Sequence, residues 1–217
     1  LRQAAATAYE AVHLPGFTLF LHATNDRVHL NYAIPDTDWA GHASSSIPAL
    51  CRAFETRGRV PRFEFVEEVS PLLPKTLVAG GFHEEYRGPA MACVRADHTS
   101  APDVSGLVID RVSDGSPEDA LRAMATTQAK GFGAAEDWRA SDADVADLRG
   151  FLASGQGFIG RIDGDVVCVS QLAASHDGIA ELVGVATLPA FRRRGLATAV
   201  TGAATAAAYE CGVDAVC

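Results

Sequence analysis

The chain has few of the features that mark membrane, disulfide-stabilised or nucleic-acid-binding proteins. Its 217 residues contain no apolar run of about eighteen, the length that spans a bilayer, so we expect no transmembrane helix. The five cysteines are an odd number without a CxxC spacing, which argues against a disulfide framework or metal site and indicates a reducing, cytoplasmic location. Lys and Arg number 18 against 27 Asp and Glu, and the net charge of −9 disfavours nucleic acid as a partner.

A polar segment near the middle of the chain divides it into two parts. Residues 96–106 contain Pro and Gly without hydrophobic periodicity, and we interpret them as a linker between domains at 1–95 and 107–217. After this linker the pattern predicts a strand, a pair of helices, a run of strands, a helix and a last strand. The predicted strands cover 107–112, 157–162, 166–173, 179–186 and 213–217, and the helices cover 116–130, 141–153 and 196–209.

The most informative local feature is a basic turn that follows an apolar strand. Residues 192–197 read Arg-Arg-Arg-Gly-Leu-Ala and open the alanine-rich helix. The first turn of a helix presents N–H groups without intrahelical acceptors, and the helix dipole adds partial positive charge, so phosphates can be held there. Gly195 lets phosphate oxygens approach the backbone closely. Taken by itself, the turn could also be a solvated basic loop.

With its strand, proline and helix in register, this stretch resembles the GNAT superfamily of acyl-CoA-dependent N-acetyltransferases. The family motif Gln/Arg-x-x-Gly-x-Gly/Ala stands here as Arg192, Gly195 and Ala197. The resemblance covers about residues 107–217 and implies an α/β (α+β) fold, with a mixed, mostly antiparallel twisted sheet flanked by helices. It also implies acetyl-CoA as cosubstrate, without a metal.

The resemblance assigns roles residue by residue. A carboxylate at Glu181, on the fourth strand, would deprotonate the amine directly or through water. Its neighbours Ala180 and Leu182 point to the opposite face of the strand, and Glu181 could instead be a solvent-facing strand residue. The residues implied to bind the cofactor are Val185, Ala186, Thr187, Arg192, Arg193, Arg194, Gly195, Leu196, Ala197 and Thr198.

The first half of the chain repeats the order of elements around the motif, so we interpret it as a degenerate GNAT-like unit in tandem. It is predicted to contain strands at 17–22, 27–34 and 63–66, helices ending near Thr56 and Ala79, and a last strand within 82–93. At the motif position it has Asp36 to His42, where two aspartates would repel a pyrophosphate. Residues 1–95 should therefore not bind CoA. Alternatively, the two halves together complete one unusual fold.

Both ends of the sequence look cut, because it begins at Leu1 inside helix-like residues 1–12 and ends inside the strand-like residues 213–217. The family's usual general acid lies on a later helix, so no acid is named; Tyr209 does not match it.

The leading hypothesis is direct transfer of the acetyl group of acetyl-CoA to an amine of unknown identity, on a small molecule or a peptide. This hypothesis leaves a homodimer open. The alternatives are a CoA-binding sensor or scaffold without turnover, and a phosphate-turn domain that recruits a partner without CoA.

Overall fold

The computed structural model describes residues 9–23, 25–36, 46–101 and 103–217, and these fall into two compact units divided after Ala90. The first unit has a three-stranded antiparallel sheet in which β2 lies between β1 and β3. Its elements are β1 (Glu10–Leu14), β2 (Phe17–Leu21), β3 (Asn31–Pro35), α1 (Ile47–Glu55) and α2 (Leu73–Ala79).

A single hydrophobic cluster joins the sheet of the first unit to its helices. Phe17 and Leu19 of β2 are fully buried against Leu50 and Phe54 of α1 and Leu73 of α2. Every side chain of β2 is buried, as expected for the central strand of a sheet with both faces covered. This unit therefore has its own core.

Several predictions for the first half need correction. Residues 10–14 form a strand rather than the end of a helix, because they pair with β2 across the turn at Gly16; residues 1–8 lie outside the described part. Phe63 makes only an isolated bridge to Ala33, and residues 82–92 form no strand. That last segment is mostly exposed, so it has no apolar face to anchor a strand. Most of the predicted degenerate motif also lies outside the described residues.

The second unit has a four-stranded antiparallel sheet, in which strands 108–112, 156–162, 165–172 and 182–187 lie in this order, and a small three-stranded sheet, in which strand 215–216 lies between strands 93–94 and 179–180. Its strands are β4 (Cys93–Val94), β5 (Val108–Val112), β6 (Gln156–Ile162), β7 (Asp165–Leu172), β8 (Ile179–Ala180), β9 (Leu182–Thr187) and β10 (Ala215–Val216). Its helices are α3 (Glu118–Gly131), α4 (Asp142–Leu152) and α5 (Leu196–Glu210). The mixed α+β class predicted from the sequence is thus confirmed.

Helices cover both faces of the four-stranded sheet. Ile159 of β6 packs in a cluster with α3 and α4, whereas its neighbour Phe158 packs in a cluster with α5. This alternation follows from the period of two in a strand. Helix α4 begins with a capping box, in which Ser141 Oγ accepts from the Asp144 N–H and the Asp144 carboxylate accepts from the Ser141 N–H.

The segment predicted as a linker lies within the second unit. Val104 and Leu107 pack against the cluster that contains α5, and β4 pairs with β10 just before this segment. The division of the chain into domains at 1–95 and 107–217 stays a prediction. Within the described residues, no helix combines the length and apolar character needed to cross a bilayer.

Candidate functional site

The predicted basic turn forms the start of α5. A short 3-10 turn, Pro189–Phe191, follows β9, and the backbone then takes left-handed angles at Arg193 (φ 63°) and Gly195 (φ 81°). The first backbone bond of the helix runs from the Ala199 N–H to the Gly195 carbonyl, at 3.0 Å. The N–H groups of residues 196–198 precede that bond and therefore have no intrahelical acceptor.

A groove of about 410 Å³ lies where the end of β9 meets the start of α5. Nine of the ten residues predicted to bind the cofactor line it; Arg194 does not. Gly131 and Phe191 also line the groove, and neither belongs to the predicted set. The full lining is Gly131, Val185, Ala186, Thr187, Phe191, Arg192, Arg193, Gly195, Leu196, Ala197 and Thr198.

Strand β9 is the edge strand of the four-stranded sheet. It pairs with β7 on one side, from Leu182 opposite Leu172 to Thr187 opposite Cys168. On the other side Leu182 donates to the Cys217 carbonyl, and no described strand pairs with the residues that follow. The groove side of β9 therefore offers unpaired backbone groups to a ligand. Thr187 Oγ1 on the same wall is buried and has no hydrogen-bond partner among the described residues.

Arg192 is oriented towards the protein rather than towards the groove opening. Its guanidinium donates to the Thr187 carbonyl at 3.2 Å and to the Gly131 carbonyl at 2.7 Å. These bonds tie the end of β9 to the last residue of α3. A Cβ at Gly131 would lie 2.7 Å from Ala186 Cβ, so glycine allows this close approach. Arg192 therefore helps to form the groove wall.

The next two arginines are exposed and point outwards. The Arg194 guanidinium lies 5.3 Å from the centre of the Phe191 ring, a cation–π distance. Arg193 lines the groove itself. Arg193 thus lies beside the open N–H groups of α5, and Arg194 lies beside Phe191, another lining residue of the groove.

Glu181 lies at the break between β8 and β9 and does not line the groove. Its carbonyl accepts from the Ala173 N–H at 2.9 Å. Ala180 is buried and Leu182 packs in the cluster with α5, so strand alternation places the Glu181 side chain on the other face. Burial first, and then the charge of Glu181, raise the pKa of the Cys217 thiol. The half-buried Glu181 is thus near the C-terminal strand.

Tyr209 is buried and has a structural partner. Its hydroxyl donates to the Cys93 carbonyl at 2.7 Å, and the Arg95 guanidinium lies 5.2 Å from the centre of its ring. Burial first, and then the neighbouring Cys93 side chain, raise the pKa of Tyr209 to about 12. This hydroxyl ties β4 to α5. Among the described residues, no group of His, Cys, Asp or Glu side chains could hold a metal ion.

Comparisons with known proteins agree with this architecture. The model of the acetyltransferase (GNAT) family matches residues 121–216. A structure of a GCN5-related N-acetyltransferase from Kribbella flavida superposes with a TM-score of 0.76 and 24% identity, covering 99% of this chain and 80% of that one. This likeness shows the fold over both units.

A second similar structure covers about half of the chain. It is an aminoglycoside acetyltransferase from an uncultured soil metagenomic sample, in complex with sisomicin. Its TM-score is 0.44 at 14% identity, and the match covers 52% of this chain and 76% of that one. No curated protein sequence matches the chain.

Proposed function

We propose that this chain transfers the acetyl group of acetyl-CoA to an amine, since the model of the GNAT acetyltransferase family matches residues 121–216. The observation that carries the proposal is the groove at the start of α5. It brings the unpaired edge of β9 and the unpaired N–H groups of α5 to one place. A long ligand with phosphates at one end and amides along its arm matches both sets of groups.

In this proposal the pyrophosphate lies at the first turn of α5. The N–H groups of Leu196, Ala197 and Thr198 donate to its oxygens, and Arg193 and Arg194 add charge. Gly195 keeps the approach open: an added Cβ would contact only Val104, at 3.5 Å, but a longer side chain would project beside the N–H groups. Arg192 contributes indirectly, because it holds the wall of the groove together.

The pantetheine arm lies along β9 from Thr187 towards Val185. Amides along the arm pair with the free edge of the strand, in the manner of an added strand. The orphan Thr187 Oγ1 fits this assignment, because a buried hydroxyl without a partner is destabilising unless a ligand satisfies it. The residues along the whole groove are therefore suited to bind CoA, from the pyrophosphate to the pantetheine arm.

The chemistry requires a neutral amine and an electrophilic thioester carbonyl. Glu181 is proposed to accept a proton from the amine, directly or through water, and its position on the face opposite α5 supports this role. The amine nitrogen then attacks the carbonyl carbon, the C–S bond breaks, and the thiolate leaves with its electron pair. The acceptor is proposed to be an amine on a small molecule or a peptide.

Calorimetry with acetyl-CoA tests the binding site. We expect saturable binding to the wild type, and at least about thirty-fold weaker binding in Gly195→Glu, because the carboxylate repels phosphate where charge-assisted hydrogen bonds are worth about 1.5–3 kcal/mol each. Gly164→Glu is the matched control: Gly164 has a similar angle (φ 90°) and open surroundings, but it lies in a hairpin away from the groove. Unchanged affinity in Gly195→Glu would contradict the assignment of the site.

Release of free CoA thiol separates an enzyme from a CoA-binding sensor. The wild type is incubated with acetyl-CoA and a panel of primary amines: a diamine, a lysyl peptide and an aminoglycoside. We expect amine-dependent release, reduced about 10²-fold or more in Glu181→Gln if the carboxylate is the base. Binding of acetyl-CoA without release for any amine would favour the sensor. Full activity in Glu181→Gln would remove Glu181 from the mechanism.

A further inference from the structure

Two side-chain amides converge on β9 at the residue before the groove begins. Gln171 of β7 is buried, and its Nε2 donates to Gln128 Oε1 of α3 at 2.8 Å. Because the Gln128 oxygen accepts this bond, its Nε2 is turned towards Gly184, where an added Cβ would overlap it. Gln128 is half-buried, and no acceptor for its Nε2–H groups is found in the described part of the chain.

Gly184 makes room for these amides. Its φ is 64°, and the register of β7 and β9 shifts at this point, between Val169 and Gln171. Two residues of β9, Gly184 and Val185, therefore stand where Ser170 alone stands on β7, which is a β-bulge. A bulge re-aims the backbone, and the absent side chain leaves the space that Gln128 Nε2 occupies.

The bulge lies at the inner end of the groove. The start of α5 forms the phosphate end, and the wall then runs back along Thr187 and Ala186 to Val185, next to Gly184. In a ligand whose phosphates lie at α5, the thioester is at the far end of the arm. In this binding mode the acyl carbonyl would lie beyond Val185, beside Gly184 and the Gln128 amide.

We infer that Gln128 Nε2 donates a hydrogen bond to the acyl carbonyl oxygen during transfer, with Gln171 holding the amide in place. This inference rests on the proposed function. As the nitrogen of the amine bonds to the carbonyl carbon, negative charge develops on the oxygen and the donor stabilises it. The electron pair on the oxygen then re-forms the C=O double bond as the C–S bond breaks. Gln128 neither gains nor loses a proton. Gln128 is a catalytic residue in this scheme, and Gln171 is a positioning residue.

A neutral amide suits this position because it is a donor at every pH at which the protein is folded. The bond from buried Gln171 also restricts the Gln128 side chain before the substrate arrives, so little reorganisation is needed in the reaction. Removing one such donor from an acyl-transfer site lowers kcat by about 10²–10³-fold.

The test uses Gln128→Glu, which keeps the shape and the acceptor for Gln171 but replaces the donor by an acceptor. The first readout is the carbonyl stretch of bound ¹³C-labelled acetyl-CoA in isotope-edited infrared difference spectra, which needs no amine. We expect a lower frequency on binding to the wild type, largely lost in Gln128→Glu. The second readout is kcat with the best amine, expected to fall about 10²-fold while the Kd for acetyl-CoA changes less than about three-fold.

Gln156→Glu is the matched control: the Gln156 side-chain amide donates to Cys211 and Gln156 does not line the groove, so both readouts should stay unchanged. Gln171→Leu should act on kcat and on the carbonyl band in the same direction as Gln128→Glu, with a smaller effect. A wild-type carbonyl band and wild-type kcat in Gln128→Glu would overturn the inference. Absence of acetyl-CoA binding by the wild type would instead overturn the proposed function.

A double-mutant cycle provides a second route should Gln128→Glu fold poorly. Gly184→Ala places a Cβ where Gln128 Nε2 lies, so it should displace the amide and lower kcat. Combined with Gln128→Ala, it should lower kcat no further than the stronger single variant, because both remove the same interaction. Multiplicative effects in the double variant would show that the two positions act separately and would refute the inference.

Discussion

Substituting Gly131 by alanine tests whether the groove wall is as tightly packed as the structure indicates. In an exposed helix this change would be stabilising by about 1 kcal/mol, because glycine has a low helix propensity. At Gly131 the new Cβ would lie 2.7 Å from Ala186 Cβ and 3.2 Å from the Thr187 backbone nitrogen. Normal carbon contacts are about 3.5–4.0 Å, so α3 and β9 must separate by about 1 Å.

The neighbours at Gly131 cannot yield easily. Ala186 is 5% exposed and the other close atom belongs to the backbone of β9, so no flexible side chain can move aside. Overpacking of this kind is destabilising by about 1–3 kcal/mol, and stretching the bond from Arg192 to the Gly131 carbonyl removes about 1 kcal/mol more. Against the gain in propensity of about 1 kcal/mol, we expect a net loss of about 1–3 kcal/mol in the free energy of unfolding.

Gly150→Ala is the matched control for this prediction. Gly150 lies in α4, and nothing lies within 4 Å of an added Cβ. The substitution therefore changes only the helix propensity, and the free energy of unfolding should rise by about 0.5–1 kcal/mol. Urea unfolding is followed by fluorescence in a Trp39→Phe background, which leaves Trp138, beside the cluster of α3 and α4, as the reporter.

With an m-value of about 2 kcal/mol/M, the midpoints of the two variants should differ by about 1–2 M urea. Equal stabilisation by both substitutions would refute the packing argument at the groove.

Three further predictions concern the second unit. Ser141→Ala removes the capping box of α4 and should lower the free energy of unfolding by about 1 kcal/mol in urea melts. The pKa of Tyr209 is raised to about 12, so its neutral hydroxyl stabilises the folded state fully below about pH 10, the pKa of a free tyrosine. This stabilisation of the folded state is lost as the pH rises towards 12, and urea melts of Tyr209→Phe should lack the loss. Arg194→Met should flatten the salt dependence of the acetyl-CoA Kd, whereas Arg192→Met should mainly lower the melting temperature.

The C-terminal half could be predicted well because its signals are local. The alternation of apolar residues predicted β6 and β7 to within one residue at each end, and Ser141 marked the start of α4. The turn at residues 192–197 could be predicted equally well, because a basic loop, a glycine and the start of a helix are adjacent in the chain. In the first half, Phe63–Val66 has the composition of a strand, but only Phe63 finds a partner.

The order of the main elements in the second unit and the turn that opens α5 therefore follow from local patterns of residues. The contribution of α3 to the groove beside that turn could be seen only in the folded structure. Gly131 reaches the groove from the end of α3, and the exposed Arg192 donates to the Gly131 carbonyl instead of extending away from the wall. Gln128 and Gln171 are 43 residues apart and meet only because α3 packs on β7. Such contacts depend on the packing of distant elements, which no local pattern of residues encodes.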